Sequence, residues 1–236
     1  MKFYKTQSRL ANEHWMKPSL KRTRTSAKPR TPAQKQGVKS GMPGKSQTPA
    51  VNDVILTIGH STRPLDEFLG LLAAHGVECV VDVRTIPRSR RNPQFNSDAL
   101  EDSLRKAGVG YVHKKQLGGL RHPKKDSLNT GWRNEGFRGY ADYMQSPEFD
   151  AALNELIEFT QTKRCAIMCA EAVPWRCHRS LISDALVVRK FAVEHIMSPT
   201  KREPHALTPF ALVRGTQMIY PSSSDPKLPF PEESQA

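Results

Sequence analysis

The sequence predicts an α/β domain: a single domain with a mostly parallel, doubly wound sheet of about five strands flanked by helices, preceded by a disordered basic N-terminal arm. Three observations carry the prediction. Short β-branched apolar runs alternate five times with segments of helical periodicity, the pattern that parallel strands joined by crossover helices impose. These segments are confined to residues 53–222, followed by a Pro- and Ser-rich tail over 223–236 predicted to be disordered. The charge divides at the same N-terminal boundary: residues 1–52 hold twelve Lys or Arg and one acidic residue, and the rest of the chain holds 24 basic and 22 acidic residues. The formal net charge of +13 therefore resides almost wholly in the arm.

The arm places Pro18, Pro29, Pro32, Pro43 and Pro49 among Lys, Arg, Ser, Thr and Gln, with too few apolar residues to bury a core. Order is predicted to begin at Val54, where ValIleLeuThrIle forms a buried strand ending at Gly59, His60 and Ser61. Pro64 opens a helix with Leu65, Phe68, Leu69, Leu72 and Ala73 on one face and Gly76 as its stop. Glu78 to Val83 is the second strand. Asp98 and Glu101 are spaced as a capping box for a helix carrying Leu100 and Leu104, and Gly110 to His113 follows as the third strand. Residues 114–139 show no periodicity and are predicted to form a long surface loop. Ser146 and Pro147 make the cap and first position of a strong helix. Cys165 to Ala170 is the fourth strand, a helix runs from about Trp175 to Lys190, and Phe191 to Ile196 is the fifth strand. A small hairpin is expected around Arg214 and Gly215.

Parallel strands all point one way, and ligands of such sheets bind beyond the strand C-termini. The unusual polar residues of this chain fall at those ends: His60 and Ser61 after the first strand, Asp82 and Arg84 after the second, His113 with Gly118 and Gly119 after the third, and Cys169 and Glu171 after the fourth. The densest stretch is CAEAVPWRCHR, residues 169–179. Read as strand, loop and helix, it sets Arg176, Cys177, His178 and Arg179 in a first helical turn, where free N–H groups and the helix dipole favour anions. Four guanidiniums, Arg84, Arg88, Arg90 and Arg91, lie within eight residues, a density that suits phosphate.

Candidate catalytic residues are thus Cys169, Glu171, Cys177 and His178, with a thiol as possible nucleophile and Glu171 or His178 exchanging protons. Candidate anion-binding residues are His60, Ser61, Arg84, Arg90, Arg176 and Arg179. Structural alternatives stand beside them: His60 and Ser61 as helix caps, and Asp82 with Arg84 as an internal ion pair. No metal site is expected, because adjacent Cys177 and His178 would point in different directions on a helix. No particular cofactor is indicated.

Five separated blocks resemble one family: residues 57–63 (TIGHSTR), 81–95 (VDVRTIPRSRRNPQF), 117–119 (LGG), 137–144 (FRGYADYM) and 169–179. They are similar, in this order, to the domain of unknown function 488 family. The resemblance covers about residues 54–220 and implies a compact α/β domain in cytoplasmic, mostly bacterial proteins, with no assigned reaction.

The leading functional expectation is an enzyme acting on a phosphate-bearing ligand, a small molecule such as a nucleotide or a nucleic acid. The alternative is a non-catalytic nucleic-acid-binding module in which the arm supplies affinity and the aromatics at 132–143 stack bases. The four cysteines fit no secretory disulfide pattern, and no apolar run approaches the roughly 18 residues of a membrane span. A cytoplasmic protein without membrane association is expected.

Overall fold

The apolar runs assemble in a computed structural model that describes residues 54–223. The disorder expected of the arm, residues 1–52, and of the tail beyond 223 concerns segments outside the described residues. The strands are Val54–Gly59 (β1), Cys79–Asp82 (β2), Gly110–His113 (β3), Cys165–Cys169 (β4) and Ala192–Ser198 (β5), with Lys201–Pro204 (β6) at the edge. They form one sheet of order β3-β2-β4-β1-β5-β6. The first five are parallel, and β6 runs antiparallel to β5. Leu212–Arg214 (β7) and Gln217–Ile219 (β8) form the expected hairpin.

The central strands are buried on both faces, so their side chains alternate between two cores rather than between core and solvent. Cys79, Val81, Val83, Cys165, Ile167 and Cys169 enter one core, whereas Val80, Ala166, Met168, Leu56 and Ile58 enter the other. The helices divide accordingly. Leu65–Ala74 (α1) and Ser97–Lys106 (α2) supply Phe68, Leu72, Leu100 and Leu104 to the second core. Glu135–Tyr143 (α3), Pro147–Thr162 (α4) and Arg179–Val188 (α5) supply Tyr140, Phe149, Leu153, Leu181 and Leu186 to the first. Cys169 therefore leaves β4 on the face covered by α5.

Local chemistry sets several element ends. Ser146 caps α4 by accepting from the Phe149 amide, with Pro147 in the first turn. Gly76 follows α1 at φ +62°, a conformation that suits glycine. The capping box expected of Asp98 and Glu101 does not form: α2 begins at Ser97, and its cap residue, Asn96, makes no side-chain capping bond.

Two further expectations are corrected. The helix expected from Trp175 begins only at Arg179; Pro174–Arg176 is a single 3₁₀ turn and Cys177 is extended at φ −136°, ψ 144°. Residues 114–139 do not form one open loop either. They contain a 3₁₀ turn at Lys115–Leu117, and Asp142 of α3 ties their middle down. Its carboxylate accepts from the Lys124 amide (2.8 Å), the Ser127 hydroxyl (2.6 Å) and the Asn129 amide group (2.7 Å).

Candidate functional site

The strand order puts the ends of β2, β4 and β1 side by side, and the backbone ladder continues past them. His60 and Ser61 donate their amides to the carbonyls of Cys169 (3.0 Å) and Ala170 (2.8 Å), and Val83 donates to Met168 (3.0 Å). Two adjoining clefts open there. One, of about 420 Å³, is lined by Cys169, Glu171, Arg176, Cys177 and His178 together with Arg84, Ile86, Gly119, Leu120 and Phe137. The other, of about 440 Å³, is lined by His60, Ser61, Arg88, Asn92 and, shared with the first, Arg84, Ile86, Ala170 and Glu171.

The wall between the clefts is a buried ion pair. The Arg84 guanidinium donates to Asp82 through Nη2 (2.6 Å) and Nε (2.9 Å), and through Nη2 to the Phe95 carbonyl (2.8 Å). Tyr111 donates its hydroxyl to the same carboxylate (2.8 Å). His60 completes the arrangement, stacked on Phe95 at 4.2 Å. Its Nδ1 donates to the Ser61 carbonyl (2.8 Å), which fixes the tautomer and leaves Nε2 to accept from Arg84 Nη1 (3.2 Å). Burial pushes His60 down to about 4, so the ring is a neutral acceptor. The structural alternative for Asp82 and Arg84 is what the geometry realises, and His60 orients that pair.

On the other side stand two thiols and an imidazole. His178 Nδ1 lies 3.9 Å from Cys169 Sγ and 3.8 Å from Cys177 Sγ. Its Nε2 donates to the Val83 carbonyl (3.1 Å), so Nδ1 turns its lone pair to the sulfurs. The premise that adjacent Cys177 and His178 diverge fails because neither is inside the helix. Extended backbone at Cys177 and the cap position of His178 let both side chains meet Cys169. The neighbouring Cys169 thiol holds Cys177 well below the ordinary thiol value against the effect of burial, and the Arg179 guanidinium adds to it. Cys169 is pushed well above by that same pairing and by burial. The Arg179 amide also donates to Cys177 Sγ (3.5 Å).

Arg179 lies under the site rather than in it. Its side chain is 1% exposed and donates to Thr57 Oγ1 (3.0 Å) and to the carbonyls of Glu171 (2.7 Å) and Ala172 (3.5 Å). The guanidinium thereby moulds the loop after β4. Gly59 is the other requirement for that path, since a Cβ there would sit 1.8 Å from the Glu171 carbonyl oxygen. The loop leaves the side chains of Glu171 and Arg176 exposed on the cleft rim, with no hydrogen bond or ion pair to other described residues.

The expected convergence of four strand-end loops is present, but its members differ in role. Glu171, Arg176, Cys169, Cys177 and His178 share one cleft, and His60 and Ser61 line the other. Arg90 is exposed and lines neither. His113 serves the frame, pairing through Nε2 with the Arg84 carbonyl (2.8 Å). Asn134, the cap of α3, and Gly136 in its first turn, which no sequence motif marks, line the first cleft beside Phe137. A buried chain of polar groups beneath Arg179 is likewise unmarked in the sequence. Thr57 Oγ1 meets His195 Nδ1 (2.7 Å), His195 Nε2 meets His205 Nδ1 (3.0 Å), and His205 Nε2 meets Asp184 (2.8 Å). Burial brings His195 down to about 4. The aromatic residues expected to stack bases pack on one another, Trp132 at 4.8 Å from Phe137 and Tyr140 at 6.0 Å from Tyr143, and Trp132 also meets Phe210 (5.0 Å) and Tyr220 (5.6 Å).

Among the described residues, no helix is long and apolar enough to cross a membrane. Neither the curated proteins nor the solved structures contain a match to the chain. A family model does match, over residues 64–186, just over half of the chain and including the ends of β2 and β4, the two thiols and His178. The chain belongs to the family described as domain of unknown function DUF488.

Proposed function

We propose that the cleft beneath Glu171 and Arg176 binds a phosphate-bearing small molecule, such as a nucleotide, and acts on it as a hydrolase or transferase. One observation carries the reading. A free guanidinium and a free carboxylate stand at the rim of a cleft whose floor holds two thiols and an imidazole. Exposed Ile86 and Leu120, at 62% and 71%, add apolar walls that suit a planar or apolar group attached to the anion. Arg176 contacts the anion, Glu171 exchanges protons, and the Cys169, Cys177 and His178 cluster is the electron-rich centre. Arg84, His60 and Arg179 position these groups from below. Four free, buried cysteines accord with a cytoplasmic protein.

The test is a thermal-shift and calorimetric screen of nucleotides and simple phosphate esters against the wild type and Arg176→Ala. Loss of a charge-assisted hydrogen bond of about 1.5–3 kcal/mol should weaken binding roughly 10- to 100-fold without altering unfolding, since Arg176 is exposed. Equal binding by both proteins would reject the reading. Binding to nucleic acid that vanishes on deletion of residues 1–52 and falls steeply with salt would replace it with the non-catalytic module.

A further inference from the structure

The geometry points to a metal site: we infer that Cys169, Cys177 and His178 bind a Zn²⁺-class cation through two thiolates and one imidazole, leaving a fourth position open to the cleft. The three donor atoms all lie within 4.8 Å of one another, and His178 Nδ1 is 3.9 and 3.8 Å from the two sulfurs. With Zn–S of about 2.3 Å and Zn–N of about 2.0 Å, a tetrahedral centre needs S···N edges of about 3.5 Å and S···S edges of about 3.8 Å. The two S···N edges are thus near their metal-bound lengths, and the S···S edge, within 4.8 Å, has at most about 1 Å to close.

The imidazole is prepared for the task. A metal-binding histidine ordinarily donates its other N–H to an outer acceptor, which fixes the tautomer. Here Nε2 donates to the Val83 carbonyl at 3.1 Å, and Nδ1 faces the sulfurs. The Arg179 amide bonded to Cys177 Sγ supports charge on that sulfur. Space is kept as well. Gly119 approaches so closely that a Cβ there would lie 2.5 Å from His178 Nδ1, the atom that would hold the metal.

Two thiolates and an imidazole select a soft or borderline cation over Mg²⁺ or Ca²⁺. Three protein ligands with the fourth position free is the arrangement of catalytic zinc rather than of closed structural sites. The cleft reaches all three ligands and also Glu171 and Arg176. A cation there would polarise a ligand oxygen or a water molecule between a free carboxylate and a free guanidinium. This catalytic role rests on the functional reading above, whereas cation binding itself does not.

The experiment uses the full chain, reduced and stripped with chelator, then titrated with Co²⁺. The wild type should develop intense thiolate-to-cobalt charge-transfer bands and tetrahedral visible bands that saturate at one equivalent and disappear on adding Zn²⁺. Cys169→Ser, Cys177→Ser and His178→Ala should each weaken binding by more than the roughly 10- to 100-fold that loss of an outer partner costs. Cys79→Ser, in the other buried thiol pair of the sheet, should leave the spectrum unchanged. Gly119→Ala, which removes no ligand but crowds His178 Nδ1, should abolish the bands in a protein whose circular dichroism remains native, separating loss of the site from loss of the fold. Absent charge-transfer bands in the wild type, bands that survive Cys169→Ser and Cys177→Ser, or recovery of only a Cys169–Cys177 disulfide would overturn the inference. The spectra are read without substrate, so their failure leaves the ligand-binding reading intact, and failed ligand binding by the metal-loaded protein leaves the metal site intact.

Discussion

Mild acid should unfold this domain through two buried neutral histidines. His60 and His195 are both held at about 4 from an ordinary 6.5, chiefly by burial. Above pH 6.5 folded and unfolded chains alike carry neutral rings, and the stability is fully present. As the pH falls below 6.5 the unfolded chain takes up protons that the folded protein refuses, so stability declines until about pH 4, where the folded rings also protonate. Over the whole window each ring corresponds to roughly 3 kcal/mol, and the pair to about 6 kcal/mol, a large share of the 5–15 kcal/mol of a typical domain. Between pH 6 and pH 5, above most carboxylate titration, the two rings together should remove about 2 kcal/mol. Urea unfolding followed by circular dichroism at intervals from pH 7.5 to 4.5 reads this directly. His60→Asn and His195→Asn lower the absolute stability, but each should also halve the slope between pH 6 and 5. A slope unchanged by both substitutions would refute neutral burial of the rings and, with it, the donor direction assigned to Arg84.

Three further outcomes follow from the packing. Gly59→Ala places a methyl 1.8 Å from the Glu171 carbonyl and should displace residues 170–172, with ligand binding lost in a protein that still folds; a crystal structure with the loop unmoved would contradict this. Arg84→Ala leaves Asp82 buried without its cation and should destabilise by about 3–5 kcal/mol in urea unfolding. Ser146→Ala removes the α4 cap and should cost about 1 kcal/mol with no change in ligand binding or in Co²⁺ spectra, since α4 contributes no residue to the lining of either cleft.

The parallel sheet was legible because its strands are β-branched runs at helix-length intervals, and β3 and the Ser146–Pro147 helix start were placed at their observed positions. Strand β6 was not, for a physical reason: LysArgGluPro is an exposed charged edge held by backbone pairing to β5, and carries no apolar alternation. The start of α5 is masked in the sequence because Pro174 does begin a helical turn, but a 3₁₀ one that ends before Cys177. That shift of a few residues decides whether Cys177 and His178 diverge or meet. Residue types at the strand ends identified the rim; which guanidiniums remain free there depends on partners remote in sequence. Arg179 is taken by Thr57 and Arg84 by the Phe95 carbonyl, whereas Arg176 is left to the cleft. Asp142 and Asp184 gave no signal, because each organises groups brought together only by the fold.

Untargeted mass spectrometry of small molecules released from the purified full chain, compared with the same preparation of Arg176→Ala, bears most directly on the cleft as a site for a phosphate-bearing ligand. A phosphorus-containing molecule should be enriched on the wild type and depleted on the variant, with both proteins unfolding alike. Equal recovery from the two proteins, or no phosphorylated molecule on either, would contradict it.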